Sequence, residues 1–184
     1  MRAISMDRDD IANEIFARIG CFDIAAWLSE LAETLAIDRF ELMPVPAVES
    51  KVVTVSQQGL TLTLHHPHAG YVEEGDPARW VLTNAEFNVA GGNDGNWAGA
   101  LPCGLDKHAS TPESASAILG DATSGLTPAD IAAGDLRQTY FLNDGRVVEI
   151  TWSRTLVGIE RLHMAKLGVH MPFVPNDVAK DRSA

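Results

Sequence analysis

The fold of this chain is most easily recognised in one stretch, Tyr140-Phe141-Leu142-Asn143-Asp144-Gly145-Arg146-Val147-Val148-Glu149-Ile150-Thr151-Trp152. In its second half, apolar residues at 148, 150 and 152 alternate with Val147, Glu149 and Thr151, as on a half-buried strand. Asn-Asp-Gly supplies the turn chemistry of a tight hairpin. We therefore predict strands at 137–142 and 146–152. A third antiparallel strand at 157–164, with Leu162 and Met164 inward, completes a C-terminal β-meander.

A second hairpin is predicted nearer the N-terminus. Residues 51–56 are rich in β-branched side chains, and Gln57-Gln58-Gly59 supplies a turn. Leucine then alternates with Thr or His over 60–65, which is typical of a returning strand. A further strand is predicted at 80–89.

The first part of the chain has helical periodicity. Apolar residues recur on one side of 7–36, and Gly20 is a plausible break between two helices. Asp23 is the expected N-cap of the second helix. The pattern predicts a helical hairpin.

Two Thr-Pro pairs predict short helices in the C-terminal half. Ser110 with Glu113 fits a capping box, and Thr111 followed by Pro112 fits an N-cap with proline at the first helical position. Thr127-Pro128 repeats the second pattern, but Gly134 leaves room for barely two turns.

These elements predict an α+β protein. We expect an N-terminal helical hairpin packed on an antiparallel β-sheet, with a short helix before the C-terminal β-meander. The length of 184 residues fits one domain, 1–184, made of the hairpin at 7–36, the sheet with inserted short helices at 51–165, and a loose tail at 172–184.

Charge is the strongest bias in the composition. The chain has 25 acidic and 14 basic residues and a formal net charge of −11. This field repels nucleic acid and anionic membranes and favours a basic protein partner. No signal peptide or membrane span is recognisable, and Cys21 and Cys103 cannot form a disulfide framework. We therefore expect free thiols and a cytoplasmic location.

Few residues suggest chemistry. His65-His66-Pro67-His68 suggests a metal site, with His66 and His68 as the ligands of a small metal-dependent hydrolase. Neighbouring residues on a strand point to opposite faces, however, and no second ligand group with recognised spacing follows. A Cys103 nucleophile with His108 as base has no identifiable third group. We accordingly predict no metal and no cofactor and favour a non-enzymatic protein.

Carboxylates and one tryptophan are the candidate partner-binding residues. The loop acids are the preferred contacts for a basic partner, and Trp97 follows a glycine-rich loop from which it could anchor an interface. Trp97 fits a core position better than an interface. The candidate set is Glu73, Glu74, Asp76, Asp94 and Trp97.

A longer pattern resembles small acidic bacterial proteins of immunity-type or uncharacterised function. Its elements are Trp97, Leu101-Pro102-Cys103-Gly104-Leu105, the Thr-Pro helix ending at Leu119-Gly120, and the Asn143-Asp144-Gly145 hairpin. The pattern is also similar to small lipoprotein modules of outer-membrane assembly, whose lipobox cysteine this chain lacks. The resemblance implies an α+β fold and stoichiometric binding, and it assigns no functional residue.

The resulting hypothesis is a cytoplasmic bacterial binding protein, such as an immunity protein that neutralises a toxin by stoichiometric binding through an acidic surface. The metal-dependent hydrolase is one alternative. A module that forms homo-oligomers through its sheet edge or helical hairpin is another, and a homodimer is compatible with the leading hypothesis.

Overall fold

The structure, a computed structural model, describes residues 10–21, 24–42, 50–65, 80–91 and 95–166, without the side chains of 39, 40 and 50. The predicted N-cap Asp23 and the predicted tail at 172–184 lie outside the described residues.

One antiparallel sheet organises the described chain. Its spatial order is β1-β2-β3-β7-β6-β5-β4. The predicted α+β class and the C-terminal meander β5-β6-β7 are confirmed. The strands are β1 (Ser50–Val55), β2 (Leu60–His65), β3 (Val81–Asn88), β4 (Ser124–Gly125), β5 (Arg137–Phe141), β6 (Arg146–Trp152) and β7 (Ile159–Lys166).

The last strand in the chain lies at the centre of the sheet. Leu162 of β7 is opposite Phe87 of β3 on one side and Ile150 of β6 on the other. All three side chains are fully buried, as is Met164. Strand β7 therefore joins the N-terminal strands β1 to β3 to the C-terminal strands β4 to β6, and the predicted inward residues form the middle of the core.

Five helices accompany the described part of the sheet: α1 (Ile11–Arg18), α2 (Ala25–Leu35), α3 (Arg39–Leu42), α4 (Pro112–Leu119) and α5 (Pro128–Ala133). The apolar stripes of α1 and α2 belong to the same buried cluster as the leucines of β2. The Gly20 amide, just after α1, donates to Leu82 O of β3 at 2.7 Å. Among the described residues, no helix has the length and apolarity required to cross a bilayer.

The cap of α4 confirms one of the two predicted starts, Thr111 as N-cap followed by Pro112, and not the other, a capping box of Ser110 with Glu113. Thr111 is the N-cap, and its partner in the capping box is Ser114, not Glu113. Ser110 instead accepts a hydrogen bond from the Asp106 amide at 2.9 Å and is buried. Thr111 is the N-cap in preference to Ser110 because it directly precedes Pro112, whose fixed φ favours the first helical position.

Strand ends also differ by one or two residues. Strand β1 ends at Val55 because Ser56–Gln58 forms a 3₁₀ turn before the left-handed Gly59. Strand β7 begins at Ile159 because Gly158, at φ +89°, turns the chain, which leaves Val157 exposed. The short elements α3 and β4 were not predicted, since two to four residues carry no periodicity.

Candidate functional site

Most residues predicted to bind a partner or a metal lie outside the described chain. These are Glu73, Glu74, Asp76, Asp94, His66 and His68. Their roles stay predictions. Within the described residues, no group of three or more His, Cys, Asp or Glu side chains is arranged to hold a metal ion.

Trp97 is a core residue. Only 2 % of it is exposed, and its ring lies edge-on to Phe87 with the centroids 4.9 Å apart. The indole N–H donates to Ala100 O at 2.9 Å, and the Trp97 amide donates to Asn88 O. The preferred core interpretation is confirmed, and the ring is not presented to a partner in this conformation.

Cys103 occupies an unusual backbone position. Its φ of +62° is left-handed, and its N–H donates to Asn13 Oδ1 at 3.0 Å. Burial raises the pKa of the thiol, although the Arg146 charge opposes this effect. A neutral thiol is a poor nucleophile, and no hydrogen bond joins Cys103 to His108. The structure gives no support to a Cys103 nucleophile with His108 as base, a pair that the sequence also disfavours.

An open cleft of about 410 Å³ lies where α4 ends beside the β5–β6 turn. Its wall combines carboxylates, an amide, a guanidinium and apolar side chains. The lining residues are Leu119, Gly120, Asp121, Phe141, Leu142, Asn143, Asp144 and Arg146.

Arg146 is the most constrained charged side chain of this cleft. Its Nε donates to Asp144 Oδ2 at 2.6 Å, and its Nη1 donates to Phe16 O of α1 at 3.0 Å. The guanidinium also lies 3.8 Å from the Phe16 ring centroid. The Arg146 hydrogen bond holds the pKa of Asp144 below its usual value. The hairpin turn is thus joined to the first helix, and Asp121 is the cleft carboxylate that Arg146 does not neutralise.

A second polar cluster crosses the sheet on the face opposite the leucines of β2. His163 of β7 is directly opposite Glu86 of β3 and Glu149 of β6. Directly opposite residues in antiparallel strands bring their side chains within about 5.5 Å at Cβ. Arg161 Nε lies 3.5 Å from Glu86 Oε1, so a cation borders the cluster.

The pKa values of His163 and Glu149 in this cluster are both shifted in the direction of the neutral form. Burial lowers the pKa of His163 to about 4, and the Arg161 charge acts in the same direction. Burial likewise raises the pKa of Glu149, and Asp135 and Glu86 add to the increase while Arg137 and Arg161 oppose it. Opposite shifts of this kind follow from desolvation. The cluster can take up protons in the acid range, and its chemistry at neutral pH is that of an uncharged imidazole.

Sequence reasoning missed both features. The cleft forms because Asp121, after α4, and Asp144, in the β5–β6 turn, line the same space. No local sequence pattern predicts that these two segments lie side by side. The cross-sheet cluster was partly readable, since Glu149 alternates with buried residues and must face the other side. Its histidine and Glu86 partners depend on strand order, which the sequence leaves open.

The chain has no recognised relatives in three comparisons. No family model matches it, and neither a curated protein nor a solved structure is significantly similar.

Proposed function

We propose that this is a non-enzymatic bacterial protein that acts in the cytoplasm by binding a basic protein partner. One observation carries the proposal. Residues 109–135, which form α4, β4 and α5, contain four acidic residues and no lysine, arginine or histidine. Such a surface speeds the encounter with a positively charged protein.

Two of the four acids of this region are exposed and the other two are half-buried. Glu113 and Asp121 are exposed. Hydrogen bonds from backbone and Thr111 lower the pKa of Glu113. Asp135 pairs with Arg137, the first cation after the region. Four carboxylates and one guanidinium leave residues 109–137 with a net charge of 1 − 4 = −3.

Toxin neutralisation is the form of binding that we propose. An acidic immunity protein can block a basic toxin stoichiometrically, with charge setting the association rate and buried apolar contacts setting the lifetime of the complex. The loop acids Glu73, Glu74, Asp76 and Asp94 remain the contacts that the sequence predicts for the basic partner.

We also propose that α1 and α2 form a helical hairpin over the leucine face of the sheet. Two hydrogen bonds support this arrangement: Gly20 N–H to Leu82 O at 2.7 Å and Gln58 Nε2 to Leu35 O at 2.6 Å. Nuclear Overhauser contacts between α1, α2 and β2 side chains would test it.

The binding proposal is tested by pull-down from a lysate of the native host, followed by purification of the captured protein. We expect a basic partner that binds one to one and associates at least about tenfold more slowly when salt rises from about 50 to 300 mM. Glu113→Gln with Asp121→Asn should weaken the salt dependence. Glu30→Gln with Glu33→Gln on α2 is the charge-matched control.

Three results would contradict this proposal. They are no captured partner, association that is insensitive to salt, and stoichiometric zinc whose loss in His66→Ala and His68→Ala variants abolishes a hydrolytic activity. The last result would favour the metal-dependent hydrolase.

A further inference from the structure

Helix α5 is an exposed apolar element. None of its residues is buried, and Ile131 is 44 % exposed. Pro128 and the alanines at 129, 132 and 133 are exposed too, and only Asp130 is half-buried. A surface helix normally buries its apolar side against the core, so an accessible one suggests an interaction site.

Both ends of the helix are capped despite this exposure. At its start, Thr127 Oγ1 accepts from the Asp130 amide at 3.2 Å, and Asp130 Oδ2 accepts from the Thr127 amide at 2.9 Å. At its end, the Asp135 amide donates to Asp130 O and the left-handed Gly134 donates to Ile131 O. These are a capping box and a Schellman motif.

Both ends of α5 are also joined to the sheet edge. Gly125 of β4, two residues before Thr127, pairs with Gln138 of β5. After the helix, the Asp135 carboxylate accepts from Arg137 Nε at 2.8 Å. An isolated six-residue helix is unstable in water, so caps and flanking strands keep this one formed.

We propose that α5 is the apolar centre of the docking surface for the basic partner, an inference that rests on the proposed function. The partner would provide an apolar pocket for Ile131, surrounded by lysine or arginine. An apolar helix that is already capped, with Asp130 and Asp135 beside its apolar residues, needs little further ordering on binding, and it matches the core-and-rim organisation of protein interfaces.

Charge decides between a basic partner and a second copy of the chain. Two copies meeting through α5 would bring together two surfaces that each contain Asp130 of the helix and Asp135 just after it, with Arg137 as the one cation beside Asp135. Repulsion between these carboxylates disfavours self-association. A basic surface is attracted instead.

The inference can be tested without the natural partner. The ¹⁵N-labelled protein is titrated with short peptides of alternating lysine and leucine, alternating glutamate and leucine, and alternating lysine and serine. We expect the Lys-Leu peptide to shift amide resonances of 127–135, the Lys-Ser peptide to bind more weakly, and the Glu-Leu peptide not to bind. Ile131→Ser should weaken Lys-Leu binding about tenfold, the loss of one buried apolar contact.

Val157→Ser is the matched control, because Val157 is 50 % exposed and lies outside the 109–135 region. Four results would each overturn the inference. They are shifts centred outside 127–135, equal effects of the two serine variants, binding of the Glu-Leu peptide as tight as that of the Lys-Leu peptide, and a dimer that Ile131→Ser dissociates. A salt-dependent host partner combined with no peptide response at α5 would overturn the docking site alone. Peptide binding at α5 without any host partner would overturn the proposed function alone.

Discussion

Single side chains decide how this protein responds to acid, and His163 is the clearest example. Its folded-state pKa of about 4 is below the ordinary 6.5, so between these values the unfolded chain binds more protons than the folded chain. Stability from this residue is therefore complete above pH 6.5 and decreases as the pH falls towards 4. The raised pKa of Glu149 acts in the opposite sense, because its protonated form is favoured in the folded state and that stability is lost as the pH rises through the folded-state pKa.

We predict that His163→Gln reduces the acid sensitivity of unfolding. Relative to the variant, the unmodified protein should lose about 3 kcal/mol between pH 7 and pH 4, as a depression of this size implies. Urea unfolding across this range measures the difference, and Glu149 is present in both proteins. Equal slopes of stability against pH would show that His163 is not desolvated as described.

Arg137 and Arg146 form the same kind of local ion pair, so the stability cost of replacing each with lysine can be compared. Arg137 pairs with Asp135, and Arg146 pairs with Asp144, each two residues away. Only Arg146 also contacts Phe16, through its carbonyl and its ring. We predict that Arg146→Lys costs about 1–2 kcal/mol because lysine cannot stack and donate in the same geometry.

Arg137→Lys should cost less than Arg146→Lys, since the pair with Asp135 is exposed and lysine keeps the positive charge that acts on Glu149. Chemical denaturation of both variants gives the comparison. Equal losses would mean that the contacts to α1 add no stability.

At the scale of elements, α4 and α5 begin with the same device and differ in burial. Both have a Thr-Pro start with a capping box. Helix α4 buries Ala115 and Leu119, whereas α5 buries none of its residues. The same cap therefore stabilises a core element in one case and a surface element in the other.

This difference predicts unequal effects of the same substitution. Thr111→Ala should lower the free energy of unfolding by about 1 kcal/mol, the usual cost of losing an N-cap. Thr127→Ala should leave the global value nearly unchanged and accelerate hydrogen exchange at 131–135, because α5 opens locally. Denaturation and amide exchange separate the two effects. A global loss in Thr127→Ala as large as in Thr111→Ala would show that α5 is coupled to the core.

At the scale of the whole molecule, stability should be greatest around β7. This strand is the only connection in the described sheet between β1–β3 and β4–β6. We predict that its amides, with those of β3 and β6, exchange only on global unfolding, while edge strand β1 exchanges faster. Leu162→Ala should cost about 2–5 kcal/mol.

Val52→Ala is the control for that substitution, because Val52 lies on β1 and is 60 % exposed. Its cost should be within about 0.5 kcal/mol of zero. Exchange at β1 that is as slow as at β7 would contradict the central position of β7 in the stability of the sheet.

The local features of this protein can be read from its sequence alone. Alternation placed the hairpins, Thr-Pro pairs placed the starts of α4 and α5, and composition determined the negative charge. Each of these depends on residues close together in the chain, where backbone geometry and short-range hydrogen bonds dominate. Even so, two overlapping patterns at the start of α4, Ser110 with Glu113 and Thr111 with Pro112, could not be ranked from the sequence. In the structure Thr111 is the N-cap and Ser114 completes its capping box.

The way in which those parts combine is a property of the tertiary fold. Arg146 meets Phe16, 130 residues earlier in the chain, and His163 lies between Glu86 and Glu149 because β7 inserts between β3 and β6. The exposure of α5 is also a tertiary property. An apolar sequence with good caps predicts that a helix forms, but it does not predict whether other elements cover that helix. Long-range pairing follows from how all elements share one core, and no local segment contains that information.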